Sequence, residues 1–177
     1  MTSVLNVDTI AAKDGTSPVA LTKQQAAIVL FGMNSHASST YFGLSNNEVS
    51  TRNLNVSSGT DFSAMFISNL QFSQDLSSWN VANATNLSSM FSGAVNVDFD
   101  AGGWNVANVQ FANFMFNNVL LSTANYDSLL VGWSAQSLQN NVQFSAGFSK
   151  YSAGAPATAR ANIISTYNWT IIDGGQV

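Results

Sequence analysis

Asp98 and Asp100 are the closest-spaced carboxylates of the chain that stand near flexible backbone, with Gly102 and Gly103 following. Oxygen ligands two residues apart beside glycines suit calcium, which needs six to eight oxygens. A calcium site built into a repeat would recur one repeat earlier, at Ser73 and Asp75, and only Asp75 is acidic there. The pair therefore reads as a polar, glycine-rich connection. His36, the one histidine, lies in Asn34-Ser35-His36-Ala37-Ser38-Ser39. An imidazole can serve as a pH switch or metal ligand, but one with no cysteine and no clustered carboxylates beside it makes no metal site. Without a placed partner it makes no nucleophilic triad either, so it reads as a linker residue. No nucleophile elbow, phosphate loop or zinc-ligand pair is present. Glycoside hydrolysis requires paired carboxylates in a cleft, and 9 acidic residues without an evident pair argue against it. The sequence thus predicts no enzyme, no catalytic residue, no metal and no cofactor. Glycosylation sequons at Asn55, Asn83, Asn86 and Asn168 fall where asparagine is wanted for turns and caps.

The elements around these residues come from a repeat. Leu54-Asn55-Val56 through Met65-Phe66 is followed by Trp79-Asn80-Val81 through Met90-Phe91, and then by Trp104-Asn105-Val106 through Met115-Phe116. The offset is 25 residues both times, with no insertion inside a block. A fixed period of this size predicts a stacked solenoid, each coil touching only its neighbours. Leu54, Trp79 and Trp104 should stack, as should Val56, Val81 and Val106, and Phe66, Phe91 and Phe116. The segments holding Leu76 and Ala101 are expected to give one short strand per coil. The Met-Phe segments are expected to be helical turns, capped by Thr85 or Asn86 in the second block.

Composition limits the surface. Hydrophobic residues make up 46% and charged residues only 8%, against about 25% charged in ordinary globular proteins. The polar surface must be neutral, and a net charge of −4 gives little repulsion between copies, which points to an assembled state. Five scattered cations form no basic patch, so nucleic acid is not an expected partner. Cysteine is absent, which leaves the redox compartment open. The first residues lack a basic region and a continuous apolar run, so no secretory leader is expected. The run from Ala26 to Met33 is too short to span a bilayer.

Four segments follow. Residues 1–31 read as a strand-strand-helix anchor: Val4 to Ile10, a turn at Lys13-Asp14-Gly15-Thr16, then Pro18-Val19-Ala20-Leu21. Thr22 and Gln25 form a capping box, opening a helix that becomes apolar on every side towards Phe31 and must be buried. Residues 32–53 are a linker and cover for the first coil, with Tyr41 and Phe42 over its end. Residues 54–125 are the repeats. Residues 126–177 read as a C-terminal α/β cap. There Tyr126, Leu129, Leu130 and Trp133 share a helical face, and Val142-Gln143-Phe144 makes a short strand. Pro156 opens a helix with Ala157, Ala161, Ile164 and Tyr167 inward. Asn168 takes a left-handed cap, and Trp169-Thr170-Ile171-Ile172 returns as a final strand.

Two resemblances add to this. Leu5-Asn6-Val7-Asp8-Thr9-Ile10, Asp14-Gly15-Thr16-Ser17-Pro18-Val19 and Leu21-Thr22-Lys23-Gln24-Gln25-Ala26-Ala27 resemble the start of tail-fibre and other virion proteins of phages of marine bacteria. Residues 54–175 resemble the leucine-rich-like repeat of bacterial surface lipoproteins and adhesins. Gln74-Asp75-Leu76-Ser77-Ser78-Trp79-Asn80-Val81 through Met90-Phe91 carries that likeness most closely. Asp100-Ala101-Gly102-Gly103 departs from it. Tyr126-Asp127-Ser128-Leu129-Leu130-Val131-Gly132-Trp133, Ser149-Lys150-Tyr151-Ser152-Ala153-Gly154-Ala155 and Ala157-Thr158-Ala159-Arg160 resemble the closing segment of such arrays. The resemblances imply a right-handed leucine-rich-like solenoid of about three coils on a virion. They imply a tail fibre that attaches to other virion proteins through residues 1–31 and recognises a host glycan or protein. A homotrimer is expected, since three-fold closure hides an all-round apolar helix. The alternatives are a capsid-mounted head fibre or decoration protein, and a polysaccharide-degrading fibre enzyme.

Overall fold

The computed structural model describes residues 56–177. The anchor expected at 1–31, the linker at 32–53 with His36, and the rungs at Leu54 and Asn55 lie outside the described residues.

The repeats lie side by side at the spacing of their sequence period. In the first, the backbone N–H groups of Phe62, Ala64, Phe66 and Ser68 donate to the carbonyls of Asn86, Ser88, Met90 and Ser92 at 2.7–2.9 Å. One repeat on, Leu87, Ser89, Phe91 and Gly93 donate in the same way to Phe111, Asn113, Met115 and Asn117. Alternate residues therefore bond to the next repeat. The residues between them close tight turns within their own repeat, as with Met65 to Phe62, Ile67 to Ala64 and Asn69 to Phe66. Such an alternation needs left-handed backbone at regular places, and it occurs at Ala64, Ser68, Ser89, Gly93, Phe114 and Asn118. Only Gly93 of these is a glycine. The interrepeat bonds must outweigh the steric penalty that a side chain meets there, on the order of 1–2 kcal/mol each.

Two expectations are corrected here. The backbone pairing runs through Asp61, Asn86 and Phe111, which form parallel bridges, and not through the segments of Leu76 and Ala101. The Met-Phe segments are successive turns bonded to the next repeat rather than helical turns. A 25-residue period aligns every position with its equivalent equally well, so it cannot say which segment brings two backbones into hydrogen-bonding distance.

After the third repeat the chain changes style. Helix α1 (Thr123–Ser134) leads to strand β1 (Gln143–Ser145), and helix α2 (Ala155–Tyr167) leads to strand β2 (Thr170–Ile172). The two strands pair in parallel, with Phe144 opposite Ile171. β1 continues the repeat ladder, because Phe116 N–H donates to Ser145 and Ala112 bridges to Phe144.

Helix α1 buries Tyr126, Leu129, Leu130 and Trp133, and Asn168 closes α2 in the left-handed conformation, at φ 55°. The inner stripe of α2 is corrected: Ala159 and Ile163 are its buried residues, whereas Ala161 is exposed. The stripe is turned by about one residue: α2 packs on α1, and Arg160 reaches Asp173 and Ile171 O from it.

The core is one apolar column. Phe66, Phe91 and Phe116 stack with centroids 5.4 and 5.2 Å apart and planes within 2° and 9° of parallel. Met90, Met115, Val106 and Leu87 are fully buried beside them. The buried tryptophans tie adjacent layers: Trp104 Nε1 donates to Leu76 O at 3.0 Å, and Trp133 Nε1 donates to Ala101 O at 2.9 Å. Those two carbonyls stand at equivalent places in successive repeats.

Candidate functional site

The carboxylates singled out by spacing hold the junction between repeats and helix. Asp98 Oδ1 accepts from Ser122 N, Ser122 Oγ and Asn125 Nδ2 at 2.9, 3.1 and 2.7 Å. It thus anchors the first turn of α1, where a negative charge is favoured by the unsatisfied N–H groups and the helix dipole. Asp100 accepts from Gly102 N at 2.7 Å and from Ser128 Oγ at 2.9 Å. Asp75, its equivalent one repeat earlier, makes the same local turn with Ser77 N. Among the described residues no three His, Cys, Asp or Glu side chains gather as a metal site would require.

Of the two glycines that depart from the repeat pattern, Gly102 has a physical cause in this junction. A Cβ on Gly102 would meet Ser128 O at 2.5 Å, and one on Gly132 would meet Gly102 O at 2.1 Å. Glycine at both places lets α1 lie against the third repeat with backbone touching backbone. Gly103 has open space around its Cβ position, and nothing in the structure requires glycine there.

Among the described residues the sequon asparagines bond within the protein. Asn83 Nδ2 donates to Ser57 O at 2.7 Å, and its equivalent Asn108 donates to Ala82 O at 2.8 Å. Asn86 Oδ1 accepts from Ser88 N, and Asn168 Nδ2 donates to Asn141 Oδ1. Asparagine thus serves as a rung between repeats.

A polar cluster that spacing did not reveal lies in the C-terminal part. Asp173 Oδ2 accepts from Arg160 Nε and Tyr126 Oη, both at 2.7 Å, and Oδ1 accepts from Gly175 N. Arg160 Nη2 also reaches Ile171 O, and the guanidinium lies 5.2 Å from the centroid of Tyr151. Burial pushes the Tyr126 phenol far above its ordinary range, and the Asp173 carboxylate adds to this by charge and hydrogen bond, with Arg160 opposing. For Arg160 burial acts downward, yet its bond to Asp173 and the surrounding charge hold it above its ordinary value. The group is a clasp in which Asp173 accepts from both Arg160 and Tyr126, and these bonds occupy the carboxylate and the phenol. Its members lie 13 and 47 residues apart in sequence. The one available signal was an arginine inside an otherwise apolar and small-residue helix.

Among the described residues, what faces solvent carries few charges and is partly apolar. Phe111 and Phe114 stand out from the third repeat, and Leu70, Val95, Leu120 and Phe148 are exposed as well. No helix among the described residues is long and apolar enough to cross a membrane.

The profile of the family described as "Mycoplasma protein of unknown function, DUF285" matches residues 35–153, about two-thirds of the chain. The chain belongs to this family. The match takes in the repeats, α1 and β1, and stops before α2. No curated protein matches the chain, and no solved structure matches it.

Proposed function

We propose that the protein is a phage virion structural protein, a tail fibre that anchors by residues 1–31 and presents its repeats for host-surface recognition. On this reading the repeats are a short right-handed leucine-rich-like solenoid, and residues 126–177 close it as an α/β cap. Copies assemble as a homotrimer on the exterior of the particle, and the partner beyond it is a host glycan or protein. No enzyme activity belongs to this reading.

The observation that supports it best is the use made of the polar residues. Asp98, Asp100, Asn83, Asn108 and the Asp173 clasp all bind within the protein. What remains outward is a sparsely charged surface with the aromatic side chains of Phe111 and Phe114, suited to contact rather than catalysis. The likeness of residues 1–27 to phage virion proteins supplies the setting. With so little charge, adsorption should depend weakly on salt.

Immunogold labelling of intact virions with antibody to the repeats, together with binding of the purified full chain to host cells, tests the reading. Tail labelling with salt-insensitive cell binding is expected. Unlabelled particles would overturn it, and label confined to the capsid would favour a head fibre.

A further inference from the structure

Leu70 and Val95 occupy the same corner of successive repeats, one period apart. Each is the second residue of a tight turn, closed by Phe72 N to Asn69 O in one case and by Val97 N to Ala94 O in the other. Leu120 holds the equivalent position in the third repeat. Phe148 follows at the next layer, where its N–H donates to Val119 O. These four side chains are 48, 52, 61 and 62% exposed. Turn corners ordinarily carry Asn, Asp, Ser, Gly or Pro. Here two repeats place a large apolar side chain at the turn corner, Leu120 repeats it at the same register, and Phe148, third in the turn closed by Ser149 N to Ala146 O, extends the row.

We propose that this corner ridge is where copies of the chain pack on one another, with parallel rows facing a common axis so that each residue meets its own counterpart. Three observations favour a second copy over another occupant. No charged residue is among the four or directly adjacent to them in sequence, so identical surfaces can meet without burying like charges. The row has the pitch of the repeat ladder, and an identical row brought alongside in parallel matches it layer by layer. Carbohydrate fits less well, because the corner amide of Asn96 already donates to Leu70 O at 2.6 Å and three of the four positions present no aromatic face. The exposed apolar area is on the order of 400 Å², within the range of a single large surface patch. It is roughly half of what each partner contributes to a standard stable interface. The ridge therefore suits a contact between copies that are also held together elsewhere, and it does not depend on what the particle binds.

The chain has no cysteine, so one introduced thiol reports a single place. In the full-length protein, Val95→Cys should form a disulfide-linked dimer rapidly under mild oxidation. Ala161→Cys, on the exposed side of α2, should not. Adding Leu120→Gln to Val95→Cys should slow crosslinking at least tenfold while leaving the melting midpoint unchanged, because Leu120 is exposed. No crosslink at Val95, equal crosslinking at both positions, or crosslinking indifferent to Leu120→Gln would each overturn the proposal. The first of these outcomes would leave the ridge to a different protein.

Discussion

The repeats at residues 56–121 and the helical part at 122–177 both build on a buried apolar core, by different means. In the repeats one solution recurs: a phenylalanine on a phenylalanine, an asparagine amide to the carbonyl of the repeat before, alternate N–H groups to the repeat after. In the helical part each contact occurs once, as in the Gly102–Gly132 approach or the Asp173 clasp. Recurrence makes the first region depend on its middle layer, which supports both neighbours. Singular contacts make the second depend on a few groups with no substitute nearby.

The comparison breaks most sharply at Phe91, which stacks on Phe66 on one side and Phe116 on the other. Phe91→Ala should lower stability by about 3–5 kcal/mol, and Phe66→Ala, with a stacked repeat partner on one described side, should lower it less. Chemical denaturation of both variants checks this, and equal midpoints for wild type and Phe91→Ala would deny the column its role.

Alkaline pH should probe the helical part instead. The Tyr126 phenol ionises in the unfolded chain near 10 but far higher when folded. Above about pH 10 the unfolded chain has lost that proton while the folded one keeps it, so stability must fall as pH rises. The slope should approach about 1.4 kcal/mol per pH unit from this group. Below pH 10 the contribution is fully present. Tyr126→Phe should flatten the decline, which denaturation midpoints measured between pH 8 and 11.5 would reveal. An unchanged slope would mean that the clasp does not govern the alkaline response.

The smallest effect sharpens the contrast. Asn108→Ala removes one rung to Ala82 O and should cost about 0.5–1.5 kcal/mol, with Asn83→Ala similar because the rungs are equivalent. Matching values would support interchangeable repeats. A loss several times larger at one of them would show that the layers are individually specialised.

How far the sequence could be read follows the same division. Met-Phe register, the buried face of α1 and the left-handed cap at Asn168 were legible, because period, helical spacing and cap chemistry are local signals. The path of the backbone ladder through Asp61, Asn86 and Phe111 was not, since a period is silent about which segment pairs. The inner stripe of α2 was misplaced because Ala159 and Ala161 carry the same hydrophobic weight, and only the helix it packs on chooses between them. Asp98 and Asp100 were noticed for their spacing, yet their partners Ser122, Asn125 and Ser128 lie 24–28 residues further on. The Tyr126–Asp173–Arg160 clasp joins residues with no shared pattern, and spacing could not have assembled it.

The glycines at the third repeat also bear on how such a chain changes length. The layer that opens with Leu76-Ser77-Ser78 is followed by another of its kind, whereas the layer that opens with Ala101-Gly102-Gly103 meets a helix at Gly102. Duplicating one 25-residue unit between the first two layers would join like to like and lengthen the column by roughly 5 Å. The same duplication after the third would set a glycine-lined face against a turn with nothing to fill it. Gly102 and Gly132 therefore act as a directional stop: variants of different reach can arise by gaining or losing interior units, while the helical end passes from one length to the next unaltered.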